Sequence, residues 1–245
     1  KKLKLISKKH KLTLINDNCH AIGASYLNNK NYAIKYADLV THSYHPVKHF
    51  TTGEGGAVFT NNYEIYKKII LLRSHGVSRE ANKLNKNGSW YYEMNELGYN
   101  YRITDFQCSL GISQVKKLDK FIKKRRKIAK IYDKAFANDK RFIIPKIDAA
   151  NKHSYHIYPL LINFRKLKIK KVEFFKKMFK KKISLQVHYI PIHLQPFYKK
   201  KLKYKKGDFP VSEKFYEKEV SLPIYYSLKE KNVYKVINLI KKFCN

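Results

Sequence analysis

Acidic residues are in short supply. The chain has 245 residues, with 18 Asp and Glu against 53 Lys and Arg, for a formal net charge of +35. A surplus of that size points first to nucleic acid or an anionic membrane. A second shortage argues the other way. Arginine occurs seven times, so 46 of the basic residues are lysine. Readers of nucleic acid favour arginine for bidentate contacts to bases and phosphates. The lysines are also spread along the chain, and the other abundant residues (Asn, Ile, Tyr, Phe) share AT-rich codons with Lys. The charge therefore reads as genomic base bias. A polyanion-binding protein stays as an alternative, and attraction of a diphosphate-bearing substrate is a secondary use of the charge.

Cysteine is nearly absent. Cys19, Cys108 and Cys244 are widely spaced. An odd, sparse set makes neither a disulfide framework nor a zinc site, and points to a reducing cytoplasm. No apolar run approaches the about 20 residues of a membrane span, and no stretch has the pattern of a secretory leader. No internal repeat is visible. The hydrophobic share of 44 % is ample for a core, in one large domain or two small ones.

The pattern along the chain alternates helix and strand. Residues 1–10 read as a helix and 12–16 as a short buried strand, with Asp17 just past its end. Residues 40–44 and 57–60 are the next strands, and 80–100 are loop-like, with Asn87-Gly88 and Leu97-Gly98 as turn signals. Thr104-Asp105-Phe106-Gln107 has the form of a capping box. It opens one long helix through Val115, Leu118, Ile122, Ala129, Tyr132 and Phe136. The basic run 123–127, with Arg125 and Lys127, reads as its solvated face. Residues 142–145, 155–162 and 184–189 read as strands, and 172–179 as a helix. A second capping box, Ser227 to Glu230, opens an amphipathic helix through Val233, Val236, Ile237, Ile240 and Phe243.

One lysine stands apart from the rest. Lys48 follows a short apolar segment and precedes Thr51-Thr52-Gly53-Glu54-Gly55-Gly56, which leads into Ala57-Val58-Phe59-Thr60. Glycines let a backbone turn tightly or approach a ligand closely. A lysine fixed beside such a turn can lose solvent, which lowers its pKa and frees its amine for Schiff-base chemistry.

Residues 43–58, Asp17 to Ala24, Arg73 to Gly76, Leu97 to Gln107 and Ser221-Leu222-Pro223 resemble, in order, landmarks of the DegT/DnrJ/EryC1/StrS family of pyridoxal-phosphate-dependent sugar aminotransferases. Residues 186–198 are most similar to the branch that aminates UDP-linked 4-keto-6-deoxy sugars on the route to pseudaminic acid. The resemblance implies an α/β chain of the fold type I PLP-dependent transferases. It implies part of a large domain with a mostly parallel sheet, residues 1–136 including a linking helix, and a small C-terminal α+β domain, residues 137–245. It implies pyridoxal 5'-phosphate as cofactor, a nucleotide-sugar substrate, an amino-acid donor such as glutamate, and a homodimer, with no nucleic acid and no membrane. The chain starts at Lys1 rather than Met, and the family has a substantial part before this point. The expectation is an N-terminally truncated chain lacking the ring-stacking residue and a phosphate-binding turn.

By the same resemblance Lys48 is the catalytic, cofactor-binding lysine. Asp17 faces the ring nitrogen and His20 packs near the ring. Ser43 binds the phosphate, and Asn100 reaches the phosphate of a neighbouring subunit. Arg102, His188, His193 and Tyr198 are candidates for the substrate side. No metal is expected, since the spacing of His188 and His193 fits no zinc motif. Three other readings stay open. One is a dehydratase on the same scaffold, in which a histidine replaces the lysine; here His49 stands beside Lys48. Another is a catalytically incomplete or regulatory binding protein. The third is the polyanion binder.

Overall fold

The structure is a computed structural model that describes residues 1–79, 86 and 88–245. It divides into two compact units, Lys1–Leu118 and Asp119–Asn245. The turn expected at Asn87-Gly88 lies partly outside the described residues.

The first unit holds a three-stranded sheet. Strand β1 (Ile15–Asp17) pairs in parallel with β2 (Leu39–Ser43), and β2 pairs antiparallel with β3 (Gly56–Thr60). One of its two junctions thus has the parallel character expected. The antiparallel one is a hairpin whose loop, residues 44–55, is closed at its base by Tyr44 N–H donating to Gly55 O at 2.8 Å. Asp38 fixes the entry to β2. Its Oδ2 accepts from the Leu14 backbone N–H at 2.8 Å, and its other oxygen pairs with Lys4 of helix α1 (Lys2–Lys9). Behind the sheet, Val40 packs with Ala33 and Ala37 in a small core. Helix α2 (Tyr63–Arg73) starts at Asn62, whose side chain accepts from the N–H groups of Glu64 and Ile65. Helix α3 (Asp105–Val115) starts with the expected capping box. Gln107 N–H donates to Thr104 Oγ1 at 3.3 Å, and Thr104 N–H donates to Gln107 Oε1 at 2.9 Å.

The second unit has the larger core. Helix α4 (Leu118–Phe136) buries Ile122, Arg125, Ile128, Ala129, Tyr132 and Phe136, the stripe that three- and four-residue spacing produces. Strand β5 (Tyr158–Ile162) lies between β4 (Phe142–Ile143) and β6 (Glu219–Leu222), antiparallel to both. Tyr158, Leu160 and Ile162 alternate inward. Helix α5 (Lys171–Lys180) adds Phe174 and Met178, and helix α6 (Glu230–Phe243) adds Val233, Val236, Ile237 and Ile240.

Four readings of the sequence need correcting. The expected long helix is two, α3 and α4. Residues 184–189 make only an isolated bridge, Gln186 to Ser221. Ser227 does not cap α6, which begins after Lys229 without a side-chain cap; Glu230 instead pairs with Lys127 at 2.6 Å.

The fourth concerns Arg125, which is not on a solvated face. It is 5 % exposed, and its Nη1 donates to the carbonyls of Tyr155 (3.1 Å), His156 (3.1 Å) and Ile224 (2.8 Å). Burial lowers its pKa to about 10, which still leaves it charged at neutral pH. The guanidinium staples the segment before β5 to the one after β6. Removing it leaves buried carbonyls without a donor, at about 1–3 kcal/mol each. Arg125→Met should therefore cost the full chain about 3 kcal/mol in urea unfolding. A loss under about 1 kcal/mol would show that the staple is not needed.

Candidate active site

The register of the first sheet decides which side chains meet. Asp17 pairs with Thr41, and Ser43 lies two residues further along β2. Side chains two apart on a strand share a face, so Asp17, Thr41 and Ser43 look the same way. Val40 and His42 look the other way. Asp17 is the last residue of β1, at the carboxyl end where ligands bind in open α/β sheets.

The chain after β2 carries Lys48 back over this end. Tyr44 holds the loop closed: its N–H donates to Gly55 O at 2.8 Å, and its own carbonyl accepts from Thr52 N–H and Thr51 Oγ1. Within it, Lys48 N–H donates to His45 O at 3.0 Å in a tight turn. Lys48 is half-buried and its neighbour His49 is buried. Two glycines answer to identified constraints. A Cβ on Gly56 would stand 2.6 Å from the His42 carbonyl, so the close approach is of strand to strand. Gly55 has φ +146°, and a Cβ there would meet Thr52 Oγ1.

The electrostatics tie these residues together. Hydrogen bonds from the Cys19 thiol and the Cys19 backbone N–H, the latter at 3.1 Å, hold the Asp17 carboxyl below the usual carboxylate value. Partial burial opposes them, and the charges of His20 and Lys48 add to the lowering. The charges of His20 and Lys48 thus bear on the Asp17 carboxyl. Ser43 Oγ accepts from His45 N–H at 3.4 Å. A hydroxyl that accepts keeps its own proton to donate. Set against a pyridine-type cofactor, these residues fit it: a carboxylate kept ionised for a cationic ring nitrogen, an amine beside it, and a hydroxyl donor for a phosphate.

Sequence reasoning missed the support behind Asp17. Asn18 is buried; its Oδ1 accepts from Tyr32 OH at 2.8 Å, and its Nδ2 lies 3.0 Å from His42 Nε2. Burial lowers the His42 pKa. With His42 neutral, the Asn18 amide donates and Nε2 accepts. Only the alternation of β2, with Val40 and His42 on one face, carried a signal for this pair. The unit's large cavity, about 1050 Å³, opens on that other face, between His42, Phe59, Tyr66 and Tyr99. It is lined by neither Asp17 nor Lys48.

The remaining candidates lie elsewhere. Asn100 is exposed on a segment whose backbone pairs with Ser74. Arg102 lines a separate cleft of about 680 Å³ with Lys67, His75 and Arg79. In the second unit, His188 is half-buried and Tyr198 is exposed. His193 is buried, with Nε2 2.8 Å from Glu213 Oε1 and its ring on Phe209. That ring latches the turn Ile192–Leu194 to the helix Pro210–Lys218 and is not presented to the surface.

The family profile described as the DegT/DnrJ/EryC1/StrS aminotransferase family matches residues 1–241. The chain belongs to that family. It is 47 % identical to an uncharacterized protein of Methanocaldococcus jannaschii, over 97 % of this chain and 61 % of that protein. It is 40 % identical to a UDP-4-amino-4,6-dideoxy-N-acetyl-beta-L-altrosamine transaminase of Campylobacter jejuni, over 97 % of this chain and 62 % of that one. Among solved structures it is similar to Helicobacter pylori PseC, an aminotransferase involved in the biosynthesis of pseudoaminic acid. There the TM-score is 0.87 at 31 % identity, covering 98 % of this chain and 62 % of that one. These likenesses bear out the fold type I α/β architecture. The chain thus spans about three fifths of the length of the relatives it matches. No described helix is long and apolar enough to cross a membrane.

The Asp17 environment can be measured directly. By NMR its carboxyl should titrate below 3.8. Cys19→Ala should move it upward more than Lys48→Met does. Because the folded value is the lowered one, the stability Asp17 contributes is present above the ordinary carboxylate pKa. It is lost as pH falls through the folded value. A titration at or above the ordinary value would remove Asp17 from this site.

Proposed function

We propose that this chain is the lysine-bearing part of a pyridoxal-phosphate-dependent aminotransferase. It moves an amino group from an amino-acid donor, glutamate by family resemblance, to a UDP-linked 4-keto-6-deoxy sugar in surface-glycan biosynthesis. The carrying observation is the convergence of Asp17 and Ser43 on one sheet face with the Lys48 loop at its end. The C. jejuni and H. pylori relatives support the sugar-nucleotide class.

Bound at this face, the cofactor ring supplies a sink for the electrons left when the donor's Cα loses its proton. The rest is work for the chain's own residues. The Lys48 amine takes that Cα proton and later returns one, as a positioned general base and acid. The Asp17 carboxylate keeps a positive charge on the ring nitrogen. Ser43 donates its hydroxyl proton to the phosphate. Asn100 is the proposed phosphate contact from a second copy, in a homodimer. The exposed apolar side chains around it, Leu97, Tyr101 and Phe106, suit such an interface. Arg102, His188 and Tyr198 are proposed for the substrate side. The dehydratase reading is less well supported, because the chain keeps Lys48 and the histidine beside it, His49, is buried.

Borohydride reduction of the pyridoxal-phosphate-loaded protein should leave the label on the peptide containing Lys48. Lys48→Ala should abolish both label and transamination. Asp17→Asn should slow turnover more than tenfold, about 1.4 kcal/mol in barrier, while cofactor is retained. Label on another lysine would overturn the assignment.

A further inference from the structure

The positive charge is not shared evenly between the two units. The first has 18 Lys and Arg against 8 Asp and Glu, and the second has 35 against 10. Genomic base composition acts on both alike. It accounts for lysine in place of arginine, and not for this imbalance.

The excess is dense around helix α5. That helix turns Phe174 and Met178 into the second unit's core, with Phe175 packed against it. At 3.6 residues per turn the opposite face carries Val172, Lys176, Phe179 and Lys180. Val172 is 68 % exposed and Phe179 is 73 % exposed. Lys168 and Lys170 lead into the helix, and Lys181 and Lys182 follow it. These six lysines are all exposed, and among the described residues none of them is in an ion pair. The one acid between 165 and 182, Glu173, is taken by Lys177 at 2.8 Å. The helix's own needs explain only part of this. Lysines in a last turn suit the carbonyl end of a helix, but at a first turn they oppose its dipole. Lys170 nevertheless stands at the N-cap position, with no side-chain cap bond.

Lysines without acidic partners, set around exposed apolar side chains, fit a partner that is anionic at its face and apolar just beneath. Phospholipid headgroups over acyl chains have that layering. A nucleic acid offers the charge, but its readers favour arginine. The arginine nearest this face, Arg165, is already paired with Glu217 at 2.8 Å. We propose that the outer face of α5, with the lysines at its two ends, docks the protein on an anionic phospholipid membrane as a peripheral contact, with Val172 and Phe179 entering the headgroup layer. The docking face lies wholly within the second unit and is independent of the aminotransferase reading.

The test is co-sedimentation of the full chain with phosphatidylcholine vesicles, with and without phosphatidylglycerol. It is run at about 0.1 M and about 1 M salt, between which the screening length falls from about 10 Å to about 3 Å. Binding should require phosphatidylglycerol and be lost at the higher salt. Lys176→Gln, Lys180→Gln and Lys181→Gln combined should weaken it at least about tenfold. Lys214→Gln, Lys231→Gln and Lys235→Gln combined remove the same charge from exposed positions on other helices. They should weaken binding less than about threefold. Phe179→Ser should weaken it about fivefold with the salt dependence unchanged. All these side chains are exposed, so circular dichroism should be that of the unsubstituted chain. Absence of binding to anionic vesicles at the lower salt overturns the proposal. So does equal loss in the two triple variants, because the charge would then act without a site. Unchanged binding of Phe179→Ser overturns the insertion. Displacement from the vesicles by an equal charge of polyuridylate overturns the membrane as partner in favour of nucleic acid.

Discussion

Everything at the candidate active site depends on one register, Asp17 opposite Thr41. A slip of one residue would turn every side chain of β1 to the other face. Asp17 would then look toward His42 and Phe59, away from Ser43 and from the end where Lys48 returns. The register is held from both sides. Asp38 receives the Leu14 N–H just before β1. Beyond it, Asn18 N–H donates to Thr41 O at 3.0 Å, and the Asn18 side chain is held by Tyr32 and His42. On the far strand, Gly56 can sit beside His42 only because it has no Cβ.

The two units bury apolar surface very differently. In the second, α4, α5, α6 and the sheet enclose a continuous core whose members include Tyr132, Tyr158, Phe174 and Ile240, all without exposed surface. In the first, the buried cluster is Val40 with Ala33 and Ala37, while Leu97, Phe106 and Trp90 are each more than three-quarters exposed. Exposed large apolar side chains suit a place where something else binds. This contrast agrees with a first unit that completes itself against further protein, as the proposed second copy would provide. The second unit fills its core from within.

Much of this was legible in the sequence, for identifiable reasons. Asp17, Ser43 and Lys48 were singled out by the family resemblance, and the local patterns, a strand end, a residue before a turn and a lysine before glycines, only agreed with it. The capping box at Thr104 is local too, and it formed. The misreadings share a different cause. Arg125 falls at helical spacing from Ile122 and Ile128, so its phase pointed inward, yet its residue type within 123–127 pointed to solvent. What decided the outcome was carbonyls 30, 31 and 99 residues away. At Ser227 the box pattern was present, and the helix start was set instead two residues on, where Glu230 meets Lys127.

Glu219, a buried carboxylate on β6, shows why such distant partners matter for proton placement as well as for packing. A buried charge is weak evidence for stability, since apolar replacements of similar size are often as stable or more so. An amide in its place could still accept the His188 backbone N–H and hold the loop. What an amide could not do is refuse to donate. The carboxylate's lack of any proton makes the Ser221 hydroxyl donate to it. The fold supplies that direction by placing the residues in alternate positions of one buried strand, Glu219 and Ser221, side by side on the same face.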